Sequence, residues 1–308
     1  MRKVRGRTIE VRRADVPAID TSAAPVDCER TELYSATELY DVWPYADSLD
    51  ARAYAWSRTP PTASATLAMA LHDHAIDEAL TRWVPGRHLV GVMGGHAADR
   101  SSAAYADAAR LGWMLGQRYV VATGGGPGAM EAANLGCRLA GGSRDHLATT
   151  VAALAGVPSY HPSVDQWARK AFDALDAGDD HPSLGIPTWF YGHEPPNVFA
   201  TAIAKYFRNA LREAILVQLC DAGIVFLPGA AGTVQEVFQE ACENYYATAD
   251  AVAPMVLVGR DYWTEELPAW PLLQTLARGR PMEGHVHLVD SVDEAAELMS
   301  SDAAPGPG

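Results

Sequence analysis

"RYVVATGGGPGAMEAANLG", residues 118–136, predicts a buried strand followed by a glycine turn and a helix. The apolar residues before the turn do not alternate with polar ones, which is typical of a strand covered on both faces. Three consecutive glycines let a ligand approach the backbone closely. The N-terminus of the helix then offers unpaired amide groups. This stretch therefore predicts one unit of an α/β fold with a ligand site at the end of its strand.

The same order of strand, small-residue turn and helix occurs at two other places, "GVMGGHAADR" (91–100) and "VFLPGAAGTVQE" (225–236). Further strands are predicted within "IPTWFYG" (186–192), "PMVLVG" (254–259) and "HVHLVD" (285–290). Apolar strands separated by helices favour a Rossmann-like, doubly wound α/β fold, with a mostly parallel sheet and helices on both faces. In such folds the ligand binds beyond the carboxyl ends of the strands.

The composition limits the classes of partner. The chain has 308 residues, of which 48% are hydrophobic, so it can bury a substantial core. A formal net charge of -14 argues against nucleic acid or an anionic membrane as partner. Four scattered cysteines suggest neither zinc nor disulfides. The basic N-terminus lacks the apolar segment of a signal peptide, and no apolar run is long enough to span a membrane, so a cytoplasmic location is predicted.

Two motifs carry a family resemblance. "TGGGPGAMEAANLG" (123–136) and "LPGAAGTVQE" (227–236) resemble the paired motifs of the LOG family, named after the plant "lonely guy" cytokinin-activating enzymes and long labelled lysine decarboxylases. Residues 194–229 further resemble the bacterial nucleotide 5′-monophosphate nucleosidases. The resemblance covers about residues 89–289. It implies a homo-oligomer, dimeric or larger, that needs no cofactor and binds a small nucleotide.

The activity that the resemblance implies is hydrolysis of the N-glycosidic bond of nucleoside 5′-monophosphates, cytokinin riboside 5′-monophosphates among them. The products are a free base and ribose 5-phosphate. By the same resemblance the last glutamate of the second motif, Glu236, is catalytic. A carboxylate suits this role because cleavage develops positive charge on the sugar ring. We expect Glu236 in the first turn of its helix, where the N-terminus would lower its pKa. A glutamate there also serves ordinary helix stabilisation.

The family also uses a catalytic arginine. Arg212 has the matching position, nine residues before Asp221, and Arg208, one helical turn earlier, is the alternative. Both are predicted on a helix that begins at Val198 with Asn197 as its N-cap. The simpler interpretation of Arg212 is a pairing with a nearby acid such as Glu213 or Glu240.

Two further groups of residues are predicted to contact the nucleotide. Donors for the phosphate are expected at Gly125, Gly126, Gly128, Gly229, Gly232 and Thr233. The base and sugar pocket is predicted from residues near strand ends, namely Met93, Gly94, Met130, Glu131, Asn134 and His193. Each of the latter also fits an ordinary place in the core, a helix or a loop. The histidines show no metal-ligand spacing, so no metal is predicted.

One position departs from the family. Ala230 stands where the second motif has glycine, and its methyl group could crowd the phosphate or demand a different backbone angle. A non-catalytic nucleotide-binding regulatory protein is therefore the alternative function. A PLP-dependent decarboxylase is less favoured, because among three lysines only Lys205 lies near the motifs. A dehydrogenase is also less favoured, since the glycine turns do not fit a dinucleotide fingerprint.

The resemblance leaves both ends of the chain unassigned. Residues 1–85, with a helical pattern over 64–84, are predicted to form an N-terminal extension that packs on the core or on a partner subunit. Residues 86–300 are predicted to form the Rossmann-like nucleotide-binding catalytic domain, with a helical insertion over 141–183. Residues 301–308, rich in Pro, Gly and Ala, are predicted to form a disordered tail.

Overall fold

A parallel sheet of seven strands forms the centre of the computed structural model, which describes residues 21–176, 178–190 and 194–301. The strands follow the order β4-β3-β2-β1-β5-β6-β7, and every pairing is parallel. Their bounds are β1 Leu89–Met93, β2 Val120–Thr123, β3 Ser183–Gly185, β4 Ala202–Ile203, β5 Ile224–Phe226, β6 Met255–Val258 and β7 Val286–Val289. The predicted Rossmann-like, doubly wound fold is confirmed.

The strand order sets the place of the ligand crevice. The chain moves outward from β1 to β4 and then returns to the other side of β1 with β5. Gly91 of β1 therefore pairs with Ala122 on one side and Ile224 on the other. The loops after β1 and β5 leave the sheet in opposite directions, and the crevice opens between them at this switch point.

Helices cover the sheet. Their bounds are α1 Ala36–Leu39, α2 Leu49–Ser57, α3 Ala63–Trp83, α4 Ala103–Gly116, α5 Ala129–Arg138, α6 Arg144–Leu154, α7 Val164–Phe172, α8 Asn209–Gln218, α9 Ala231–Tyr246, α10 Trp270–Ala277 and α11 Val292–Ser301. Helices α4 and α5 can approach closely because Gly112 and Gly136 have no side chain. A Cβ at either position would overlap a carbonyl of the opposite helix. None of the helices in the described ranges is long and apolar enough to cross a membrane.

The described part of the N-terminal segment packs on the edge of the sheet. Tyr34 pairs its backbone with Ile203 of β4 in an antiparallel bridge. The buried carboxylate of Asp50, on α2, accepts hydrogen bonds from the Trp189 indole at 2.8 Å and from the Lys205 ammonium at 2.5 Å. These contacts join the segment to the chain that leads into α8. Residues 1–20 of the predicted extension lie outside the described ranges.

Two predicted elements differ in the structure. The strand expected within residues 186–192 is instead β3, which ends at Gly185. Pro187 has no amide to donate to the sheet, and beyond it Thr188 pairs with Tyr206 as an isolated parallel bridge. The helix expected from Val198 begins only at Asn209, because the chain first pairs as β4 at the sheet edge. Asn197 does accept hydrogen bonds from the backbone amides of Phe199 and Ala200, but these bonds close a turn and do not begin a helix.

The predicted helical insertion over 141–183 contains two helices, α6 and α7. A connection over 155–163 joins them and passes the loop that follows β1, where Arg100 donates its backbone amide to the carbonyl of Pro158. The first residue of the predicted tail, Ser301, is the last residue of α11, and residues 302–308 lie outside the described ranges.

Candidate active site

A cleft of about 340 Å³ lies at the carboxyl edge of the sheet, between the turns after β1, β2 and β5 and the helices α8 and α9. Seven of the predicted site residues line it: Gly94, Gly126, Met130, Arg212, Gly232, Thr233 and Glu236. They come from four separate segments of the chain. The fold therefore brings both glycine motifs and both kinds of predicted catalytic residue to one place.

The turn after β2 depends on two glycines in the left-handed region, Gly125 with φ of 71° and Gly128 with φ of 74°. A Cβ at Gly128 would lie 2.6 Å from the carbonyl carbon of His96, so this glycine also lets α5 pack on the loop after β1. Neither residue lines the cleft, whereas Gly126 between them does. Gly125 and Gly128 thus shape the turn that presents Gly126.

The turn after β5 leads directly into α9. Gly229 leaves room for Thr233, because a Cβ at Gly229 would overlap the threonine hydroxyl. Gly232 faces open space. Ala230 is the N-cap of α9 and has no side-chain group that could accept from the first amides of the helix. Its φ of -85° is ordinary for alanine, so the substitution demands no special backbone angle.

Arg212, on α8, reaches into the cleft between two acids. Its Nη1 lies 3.5 Å from Oε1 of Glu236 and its Nη2 lies 3.6 Å from Oε1 of Glu213. Nη2 also donates to the Asn209 side chain at 3.1 Å. The buried Nε has no hydrogen-bond partner in the described part of the chain. Because an unsatisfied buried donor is unfavourable, this N–H suits an anionic ligand oxygen. The alternative residue, Arg208, is exposed and does not line the cleft.

The pKa of Glu236 differs from the one expected. Burial raises its pKa to about 7, although the positive charge of Arg212 opposes the rise; the negative charge of Glu213 adds to it. The expectation of a lowered pKa is therefore wrong. α9 begins at Ala231, so Glu236 lies in the second turn, where the helix N-terminus acts less strongly than desolvation. A carboxyl group with this pKa can exchange a proton near neutral pH.

Glu213 is a cleft residue whose role the sequence did not assign beyond a pairing with Arg212. Its side chain is buried and accepts hydrogen bonds from Asn209 at 2.6 Å and from Gln235. These two amides hold its carboxylate beside Arg212. The signal in the sequence was its position directly after the predicted catalytic arginine.

Three of the predicted pocket residues point elsewhere. Asn134 is fully buried and bonds to Thr123 at 2.7 Å, where it supports the strand end. Glu131 is buried against Arg100, whose Nη2 lies 2.5 Å from its carboxylate. Met93 is buried at the end of β1. None of the three lines the cleft. His193 lies outside the described residues.

Lys205 and a cluster of one histidine and two aspartates lie outside the cleft lining. Lys205 is buried in its pair with Asp50 and does not line the cleft. Among the described residues, His146, Asp176 and Asp179 place three side-chain ligand atoms within 4.8 Å of one another. His146 and Asp179 already bond to each other at 3.1 Å. The absence of a metal remains a prediction.

Comparisons with known proteins match two parts of the chain. Residues 164–301 match a family described as "Possible lysine decarboxylase", and residues 87–144 match the "SLOG cluster4 family". No curated protein matches significantly.

Solved structures give a more distant likeness. A molybdenum cofactor binding protein from the phototrophic bacterium Rippkaea orientalis is 18% identical over 71% of this chain and 99% of its own, with a TM-score of 0.43. A Moco carrier protein from Chlamydomonas reinhardtii is 18% identical over 70% of this chain and 98% of its own, with a TM-score of 0.42. Neither likeness bears on what this chain binds.

Proposed function

We propose that this LOG-family protein hydrolyses the N-glycosidic bond of nucleoside 5′-monophosphates to a free base and ribose 5-phosphate. The observation that carries the proposal is the position of Arg212 between two buried acids, Glu213 and Glu236, in a cleft lined by both glycine turns. A cytoplasmic location and a homo-oligomeric state remain predictions.

The phosphate binds where the cleft offers donors. The amides at the start of α9 have no side-chain cap, and the Thr233 hydroxyl lies beside them. A phosphate at a helix N-terminus gains from both the free amides and the helix dipole. Arg212 is the one Lys or Arg among the described residues that line the cleft, so it supplies the fixed positive charge there, and its free Nε–H can bond a further oxygen.

Glu236 acts on the sugar and on the attacking water. As the bond from C1′ to the base breaks, its electron pair leaves with the base and positive charge develops on the ring. The ionised carboxylate of Glu236 stabilises that charge and accepts a proton from the water that attacks C1′. The proton then passes to the departing base. Water and nucleotide are thus converted to base and ribose 5-phosphate without any cofactor.

A substrate panel tests this function. The protein is incubated with AMP, GMP, CMP, UMP and a cytokinin riboside 5′-monophosphate, and free base and ribose 5-phosphate are assayed. Release of both products in equal amounts is expected from at least one nucleotide. If the folded protein releases no base but nucleotides raise its melting temperature, it is a nucleotide-binding protein without this activity. If they neither react nor bind, the proposal fails altogether.

A separate assay addresses the family description "Possible lysine decarboxylase". A lysine decarboxylase would hold PLP as a Schiff base on a lysine facing the cleft. Lys205 is buried, paired with Asp50 and absent from the cleft lining. We therefore propose the hydrolase rather than the decarboxylase, and expect no release of cadaverine from lysine with added PLP.

A further inference from the structure

A second cavity, of about 320 Å³, lies beside the cleft. Its walls are the loop after β1 (His96–Asp99), the first turn of α5, the connection between α6 and α7 (Pro158–His161) and Trp167 of α7. The function proposed above does not use it. It is similar in volume to the cleft but different in chemistry, because three of its lining side chains have aromatic rings besides that of His96.

The border between the two cavities is narrow and polar. His96 lines both of them. Its Nδ1 lies 3.6 Å from a carboxylate oxygen of Glu194, which lines the cleft. Both side chains are more than a third exposed, at 55% and 37%, so each can move without disturbing the core. A ligand in the cleft can therefore extend past His96 into the second cavity.

The described lining of the cleft has little aromatic surface. Among the described residues that line it, only His96 has an aromatic ring. The second cavity contains Tyr160 and His161, whose ring centroids are 4.2 Å apart. The buried Trp167 packs against Tyr160 in an edge-to-face arrangement, with ring centroids 6.1 Å apart. Such rings stack on a planar heterocycle, whichever base it is.

Polar groups complete the second cavity. The exposed carboxylate of Asp99 and the hydroxyl of Ser159 offer an acceptor and a donor to the edge of a base. The buried Glu131 beneath them is neutralised by Arg100, which also lies over the Trp167 ring at 4.6 Å. Of this pair only Glu131 lines the cavity, and because its charge is balanced by Arg100 it does not exclude an uncharged ring.

We propose that this second cavity binds the nucleobase, with Tyr160 as its stacking platform, while the cleft binds the ribose 5-phosphate part of the same nucleotide. The proposal rests on the proposed function. The cleft alone, at about 340 Å³, is near the lower limit for small-molecule pockets. The cleft and the second cavity together have about twice that volume, which suits a whole nucleotide better.

Binding measurements in a Glu236→Gln background test the proposal without turnover. Dissociation constants are measured by calorimetry for AMP, GMP, CMP, UMP and ribose 5-phosphate. Tyr160→Ala is expected to weaken the tightest nucleotide about tenfold, as loss of one stacking contact does, and to leave ribose 5-phosphate unchanged. Tyr160→Phe, which keeps the ring, is expected to retain the affinity. Tyr246→Ala, at an exposed tyrosine on α9, is the matched control.

The outcomes separate the two proposals. If Tyr160→Ala leaves nucleotide affinity within about twofold, or weakens ribose 5-phosphate equally, the base does not bind in this cavity, although the hydrolase proposal stands. If neither nucleotides nor ribose 5-phosphate bind the parent protein, both proposals fail. Thermal melting of each variant shows whether it is folded. If Tyr160→Ala is not folded, Tyr160→Phe carries the test, because a loss of nucleotide affinity in a variant that keeps the ring would contradict stacking.

Discussion

At the scale of single residues, the guanidinium of Arg212 shares one small volume with the carboxylates of Glu213 and Glu236. Two negative charges and one positive charge cannot all be neutralised among themselves in a buried site, so one carboxyl group tends to hold a proton. Glu213 is held by two amide donors, whereas burial raises the pKa of Glu236 to about 7. Glu236 is therefore the group that exchanges its proton.

Glu236→Gln is expected to lower the rate of base release by at least about a hundredfold, because an amide neither accepts the proton of water nor carries negative charge. Nucleotide affinity should change little. Initial rates at saturating nucleotide check this. Glu240→Gln is the control, since Glu240 is a buried glutamate one turn further along α9 that does not line the cleft. Full activity in Glu236→Gln would remove Glu236 from the mechanism.

The pH profile follows from the same group. The base form of Glu236 is the ionised one, so base release should increase as pH rises through about 7. Removing the nearby charge of Glu213 favours ionisation of Glu236 and lowers its pKa. Glu213→Gln should thus move the acid limb of the kcat profile to lower pH by about half a unit or more. An unmoved acid limb would show that Glu213 does not act on Glu236.

At the scale of elements, α9 begins without a side-chain cap, as do the two helices that pack on it, α8 and α10. Ser102 and Ser143 cap α4 and α6 by accepting from backbone amides of their first turns, whereas Ala230 leaves those of α9 without a side-chain partner. A missing cap lowers helix stability by about 1 kcal/mol, and it leaves the first amides of α9 free to bind a ligand. The same amides that lack a cap face the cleft.

Ala230→Asp should therefore have two opposite effects. Its carboxylate can cap α9 and raise the melting temperature, since a good N-cap contributes about 1 kcal/mol. It would also repel a phosphate at the same amides, so that affinity for ribose 5-phosphate falls about tenfold or more. Calorimetry and thermal melting measure the two effects. Ala230→Asn, which caps without charge, should lose less affinity; equal losses would mean that charge is not the cause.

At the scale of the whole molecule, the N-terminal segment supports the chain that borders the cleft. Asp50 bonds to Trp189, which directly follows the cleft residue Thr188, and to Lys205 on the path to α8. All three are buried. Burial lowers the pKa of Lys205, and the charge of Asp50 opposes that shift. The segment that the family resemblance did not include thus contributes to the shape of the site.

Asp50→Asn should destabilise the fold by about 3–5 kcal/mol, because it leaves the Lys205 ammonium buried without its counter-ion. Unfolding in urea measures the change. Asp41→Asn is the matched control: Asp41 pairs with Arg52 at the surface, where loss of an ion pair changes stability by about 0–1 kcal/mol. Equal effects of the two substitutions would contradict a structural role for the buried pair.

The sequence by itself determined the class of fold, the turns after β1, β2 and β5, and the motif that contains Glu236. These depend on local chemistry: runs of apolar residues, glycines at positive φ, and short motifs at fixed spacing. Tertiary structure alone decided which of the predicted residues meet. It turned Glu131 and Asn134 away from the cleft, placed Glu213 beside Arg212, ended the sheet at β4 where a helix was expected, and reversed the expected shift in the pKa of Glu236. Burial and the proximity of charges depend on segments far apart in the chain, and no local pattern encodes them.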